Sequence, residues 1–458
     1  MDVYANLGSG FAVRGVSSPQ EVLSMKNASV SILITLLFAV AGTQAQSSRS
    51  IDPISRPRLV AGPKTSGPAT SQSENQSTQQ QTPTPPVENG SWSPEKATTP
   101  NGPQPAESRS SAREESSAVR LSPNRIRSRI NEAERLMKVR PVPTALMLPS
   151  LDYVTVAALL PQTSQIHLIR IAKQTFLARG SEVSATTSLS LPVSVRIVRA
   201  NGVNTAVTIF DDKNRSLVPL TVEFPIERKG VFREMAYYTS AHPALLTPEL
   251  MKSGQTYVNS MVDLASKRLR ERGANIAPHI VEVAKRLCIV EHTDHDRFRN
   301  EDRIALFEEI YTLYALNELD TYRYSVSSAG AGGMVQMIPW TYALMRQRHP
   351  GVGLNPDFVA GMRNHGNALE AMLLYMQDTW NDLSANEDVQ SALSARQATV
   401  TELLAAGYNS NAAKLPGYIR RAGAGWRTLI PRETQMYLQI YQSLDVLMKA
   451  KDNHARKK

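Results

Sequence analysis

A stretch that cannot build a core sets the first limit on this chain. Between Ser47 and Val119 it includes "TSQSENQSTQQQTPTPPVENGSWSPEKATTPNGPQPAESRSS", with almost no branched apolar residues. Such a composition buries too little surface to offset its ordering entropy, so 47–119 reads as a disordered low-complexity linker. A packed core can start only near residue 120 of the 458. What remains is enough for two domains of roughly 100–200 residues each.

Upstream of the linker, "MKNASVSILITLLFAVAGTQA" offers Met25, Lys26, an apolar run and the small residues Ala39, Ala41 and Ala45. These are the parts of a secretory signal. Region 1–46 is therefore expected to direct export to the periplasm or cell exterior, with translation starting at Met25. The run is short for a membrane span, so no stable transmembrane segment is expected after cleavage; an uncleaved anchor is the alternative. The formal charge of +10 suits a polyanionic partner such as cell wall, nucleic acid or membrane surface. One cysteine, Cys288, excludes an internal disulfide, and its place on the apolar side of "IVEVAKRLCIV" reads as a small buried hydrophobe.

After the linker, "SPNRIRSRINEAERLMK" reads as a short helix within 120–142, with Ser122 as cap, Pro123 in the first turn and Ile126, Ile130, Ala133 and Met137 on one face. From 145 to 238 the texture is that of a small antiparallel β-domain: "YVTVAALL", "IHLIRIA", "PVSVRIVRANGVNTAVTIFDD" and "LVPLTVEFPI" are rich in Val, Ile, Thr and Phe. Asn201-Gly202 is its strongest hairpin signal. The β-domain has no clustered His, Cys or paired acids, so it suits a packing or adaptor role, with a cell-envelope protein as its partner. From 247 to 450 every segment reads helical, in six patterns with short connections. The first has Pro248 just inside its start and Gly273 just past its end. The fold class expected is α+β multidomain: tether, β-domain and C-terminal all-α domain.

Chemistry concentrates in "NELDTYRYSVSSAGAGGMVQMIPWT", Asn317 to Thr341. Ile304, Phe307, Ile310, Tyr311, Tyr314 and Ala315 repeat at helical spacing, and Glu318 falls four residues after Tyr314 on that stripe. A carboxylate there is half-buried, and burial raises its pKa into the range a general acid needs. Periodicity alone leaves open that Glu318 instead frays into solvent. Gly330, Gly332 and Gly333 permit close backbone approach. Gln336 places one amide in an apolar run, and Pro339 marks a turn or helix start. Asp320, two residues from Glu318, faces elsewhere on a helix and reads as a solvated cap or turn residue.

This stretch resembles the catalytic segment of the soluble, goose-lysozyme-like lytic transglycosylases through Glu318, Ser327, Ala329, Gly330, Ala331, Gly333, Gln336, Pro339 and Thr341. Two more segments resemble that family in the same order: "AAGYNSN", with Tyr408 and Asn409, and "PRETQMYLQIY", with Glu433, Thr434 and Tyr437. "NALEA" is a weaker match through Asn367 and Ala371. The likeness covers roughly Ile304 to Leu444. It departs at Leu319, where the family has serine, at Asn411, where it has glycine, and at "WNDLSANEDVQSALSARQ", which looks like an insertion.

The resemblance implies a lysozyme-like catalytic domain and a lyase that cuts peptidoglycan glycan strands between N-acetylmuramic acid and N-acetylglucosamine, leaving 1,6-anhydro ends. Glu318 would be acid and then base. Gln336, Met334 and the Gly330 to Gly333 turn would hold substrate, Tyr408 and Tyr437 would orient the carboxyl, and Asn409 would position the loop. A goose-type lysozyme that hydrolyses the same bond, or a catalytically weak wall-binding scaffold, are the alternatives. His292, Asp294, His295 and Asp296 read as a polar interhelical loop. No phosphate-binding loop, Ser-His-Asp signature or Cys-His zinc spacing is present. No cofactor, metal or nucleic-acid partner is expected.

Overall fold

The computed structural model describes residues 121–139 and 150–455. The signal region 1–46 and the linker 47–119 lie outside them. Helix α1 (Pro123–Val139) buries Ile126, Ile130, Ala133 and Met137, the face expected from their spacing. Full burial of each large side chain contributes about 1.5–3 kcal/mol.

The strands are β1 (Tyr153–Leu160), β2 (Gln165–Ala172), β3 (Glu182–Thr186), β4 (Pro192–Arg199), β5 (Ala206–Asp211), β6 (Ser216–Arg228) and β7 (Val231–Tyr238), with a single turn, α2 (Lys173–Phe176), after β2. They form an antiparallel sheet ordered β2-β1-β6-β5-β4-β3, with β7 added on β6. The sheet curls until the segment after β3 meets β2, where Ser188 N donates to Leu168 O at 2.9 Å. Proline has no N–H to give a ladder. The β1–β6 register accordingly shifts where Ala158 faces Pro219. Asn201-Gly202 does sit in the β4–β5 hairpin, but the strands stop at Arg199 and resume at Ala206, around a 3₁₀ turn rather than a two-residue one.

Side chains alternate between the two faces of a strand. In β1, Ala157 and Leu159 pack with α1. Val154, Val156, Ala158 and Leu160 instead join a core that continues into the C-terminal helices.

Those helices are α3 (Pro248–Glu271), α4 (Pro278–Val290), α5 (His295–Asn300), α6 (Arg303–Asn317), α7 (Pro339–Arg348), α8 (Phe358–Arg363), α9 (His365–Ser384), α10 (Glu387–Ser394), α11 (Val400–Asn409), α12 (Leu415–Ala422) and α13 (Arg432–Ala455). Thr247 caps α3 by accepting from Leu250 N, and Gly273 follows its end at φ +81°. At Gly254 in α3, a Cβ would stand 1.7 Å from the Tyr311 carbonyl oxygen, so α3 and α6 cross with backbone in contact. The apolar pattern that starts near Pro356 holds two helices, α8 and α9. Asn364 leaves helical dihedrals and caps α9 by accepting from Asn367 N at 3.0 Å. The segment that looked like an insertion holds α10.

Sheet and helices are stitched at fixed points. Asn317, the last residue of α6, exchanges two hydrogen bonds with the Thr239 backbone, at 2.8 and 2.9 Å. Arg199 of β4 donates to Glu309 of α6 at 3.0 Å, and Arg297 grips the same carboxylate with two bonds. Among the described residues, no helix is long and apolar enough to cross a membrane.

Candidate active site

The glycine segment folds into a small knot, so the helical region is not purely α. Ser327 N donates to Ala331 O, Gly332 N to Met337 O and Gly333 N to Ser325 O, at 2.9–3.0 Å. Gly330 and Gly333 take φ of +76° and +67°, a region that favours glycine. A Cβ on Gly333 would also lie 2.2 Å from the Met362 carbonyl oxygen. Pro339 begins α7, as its place in the sequence implied.

Several residues expected to contact substrate have internal partners. Gln336 directs its amide nitrogen inward, to Gly333 O at 2.8 Å and Ser325 Oγ at 3.2 Å. Met334 is fully buried, so its side chain packs in the core rather than lining a cleft. Its carbonyl oxygen lies 3.0 Å from His292 Nε2, and the His292 ring stacks flat on Tyr322 at 3.4 Å. Burial holds His292 neutral by pushing its pKa down to about 3.

The half-burial expected of Glu318 is corrected. Helix α6 ends at Asn317, and Glu318 turns out at φ +46° and is exposed. The stripe argument fails because α6 is buried from Leu306 through Ala315 except at Glu308 and Glu309; a helix enclosed nearly all round has no single buried stripe to extend. Ile304, placed on that stripe, is 49% exposed. Asp320 behaves as a turn residue and pairs with Arg323 at 3.0 Å. Asn411, where the resembled family has glycine, sits at φ −75° and caps the next turn, so no left-handed backbone is demanded of it.

Of the other motif residues, Tyr437 bonds a different carboxyl, and the rest tie the surrounding elements together. Tyr437 is buried on α13, and its hydroxyl donates to Glu291 Oε1 at 2.6 Å. Tyr408 donates to Val335 O at 2.6 Å, which ties α11 to the glycine knot. Thr434 donates to Asn409 Oδ1 at 2.8 Å and holds α11 against α13. Glu291 directly follows α4, next to His292. Its surface is partly covered. Desolvation pushes its pKa up to about 8 against the opposing Tyr437 hydrogen bond, and the Glu433 charge adds to the rise.

Sequence reasoning missed Glu291. The available signal was its position at the end of an apolar helical run, beside the residues set aside as a polar loop. Of those, Asp294 caps α5 by accepting from Asp296 N and Arg297 N. Among the described residues, no group of three His, Cys, Asp or Glu side chains is disposed to hold a metal ion. Cys288 is fully buried, and burial raises its pKa.

A carboxyl with a raised pKa is a stability switch of known sign. The folded state keeps a proton that the unfolded chain releases above about 4.5, so Glu291's contribution is full below that value, falls until about 8 and is flat above. His292 and His365, with pKa values lowered to about 3 and about 4, act oppositely by losing stability below 6.5. The wild-type melting temperature minus that of Glu291→Gln should therefore decrease steadily between pH 5 and 8. A difference that is constant with pH would show that Glu291 titrates normally.

Comparisons with protein-family models, curated proteins and solved structures found no match for this chain.

Proposed function

We propose that the helical region is a lysozyme-like catalytic domain acting as a peptidoglycan lytic transglycosylase, with Glu291 as its acid. The observation that carries this reading is the half-buried Glu291 carboxyl, bonded by Tyr437 at 2.6 Å. Around it stand the three segments that resemble the family. The order acid, glycine turn, Tyr-Asn, Glu-Thr-x-x-Tyr is kept, with α5 and α6 intervening between the acid and the turn.

With a pKa of about 8, Glu291 is largely protonated near neutrality, as a general acid must be. It gives its proton to the glycosidic oxygen as the bond to C1 of the muramic residue breaks. The C6 hydroxyl oxygen of the same residue bonds to C1, and its proton passes to the Glu291 carboxylate. The product is a 1,6-anhydro ring, the acid is regenerated and no water is consumed. Tyr437 holds the carboxyl in place through both steps.

A hydrolytic reading draws on Glu433, whose charge acts on Glu291. A second carboxylate is what a water-activating glycosidase uses. Mass spectrometry of digested sacculi distinguishes the two: anhydro-ended fragments support the transglycosylase, and reducing ends support the hydrolase. Absence of either product leaves a wall-binding scaffold.

Export by the N-terminal segment and an anionic wall partner belong to the same reading. Sacculus binding should weaken steeply between low and physiological salt, since exposed charges are screened over about 8–10 Å there. A salt-independent sedimentation assay would leave the +10 charge without a role.

A further inference from the structure

We infer that the chain carries a second binding site, for a short zwitterionic peptide, in the cleft where the β6–β7 hairpin meets the start of α9. The cleft measures about 490 Å³, a volume within the range typical of small-ligand pockets. Arg228, Arg323 and Arg363 line it against one carboxylate, Asp357. His365, also on the wall, adds no charge near neutrality because burial lowers its pKa to about 4.

Two of the guanidiniums are held in place from behind. Glu234 of β7 accepts from Arg363 at 2.6 Å and from Arg323 at 3.3 Å. Both guanidinium groups stand over the Tyr324 ring, at 5.1 and 5.5 Å. Arg323 also pairs with Asp320 at 3.0 Å, so Arg228 is the cleft arginine without a carboxylate partner among the described residues. Guanidiniums held in fixed orientations suit carboxylates.

The rest of the wall selects among anions. Leu319, 60% exposed, and the small apolar surface of Val359 and Ala360 offer room for methyl groups. Asp357 repels a compact polyanion such as phosphate but pairs with an amine. Carboxylates, an amine and methyl groups together describe a peptide. Wall stem peptides belong to this class, and that identification rests on the function proposed above; the site itself does not.

Isothermal titration of the full chain with the tetrapeptide Ala-Glu-Lys-Ala tests the assignment. Saturable binding is expected, weakened about tenfold by Arg228→Ala, where only one exposed guanidinium is lost. A similar loss is expected for Asp357→Asn, which keeps a cap-forming side chain for α8. Amidated Ala-Gln-Lys-Ala should bind much less than the parent peptide. No saturable binding, or equal displacement by inorganic phosphate, overturns the site. Cleavage of peptide-free glycan by Arg228→Ala should match wild type. Peptide binding without glycan cleavage would sink the enzymatic reading and leave the site standing, and cleavage without peptide binding would do the reverse.

Discussion

Glu291→Gln should reduce release of anhydro-ended fragments from sacculi to background, whereas Glu318→Gln should retain most of it. Glutamine keeps the size of the side chain and can still accept from the Tyr437 hydroxyl, 2.6 Å from Glu291 Oε1 in the wild type. What it lacks is a transferable proton. Acid and base roles typically contribute on the order of 10²–10⁴ each, and in the proposed mechanism one carboxyl performs both. Glu318 is exposed on a turn that leaves α6, open to water. Tyr437→Phe provides a graded control. It removes a hydrogen bond that favours the ionised form, so the pKa of Glu291 should rise further and the pH optimum should move upward. Full activity in Glu291→Gln together with loss in Glu318→Gln would restore the exposed residue as the acid and refute the site assigned here.

Gly333→Ala is expected to be the most disruptive change in the glycine knot. Its φ of +67° disfavours any L side chain, and the added carbon would stand 2.2 Å from Met362 O. Left-handed strain of about 1–2 kcal/mol adds to overpacking of about 1–3 kcal/mol. A loss of roughly 2–5 kcal/mol should appear in the denaturant midpoint. The displaced backbone carries Met334 and Val335, whose carbonyls contact His292 and Tyr408, so surviving folded protein should also cut poorly. Gly330→Ala is the comparison. It shares the positive φ, at +76°, but nothing lies within 4 Å of its Cβ position, so it should cost only about 1–2 kcal/mol. Equal costs for the two would show that strain alone, and not contact with Met362, makes Gly333 necessary.

Local signals in the chain were dependable where the physics is local. The buried face of α1, the hairpin at Asn201-Gly202, the Pro248 start and Gly273 end of α3, and the turn at Gly330 and Gly333 all follow from side-chain periodicity, capping or positive φ. Strands β3 and β7 were harder to see. The short β3 buries no residue completely, and β7 carries Arg233 and Glu234 in its middle. The split between α8 and α9 was hidden because one Asn cap interrupts an otherwise continuous apolar pattern.

By itself the sequence determined α1, most of the strands, the ends of α3, and that a glycine turn precedes a Tyr-Asn and a Glu-Thr-x-x-Tyr segment. Only the tertiary structure decided which carboxyl those segments reach. Glu318 and Glu291 both follow apolar helices, and nothing within either helix separates them. One is released to solvent because Asn317 bonds Thr239, 78 residues away, and the chain turns outward after it. The other is covered because Tyr437 arrives from 146 residues downstream. The proton affinity of a carboxyl depends on the atoms that replace its water, and those atoms belong to residues that are distant in sequence and adjacent only once the chain has folded.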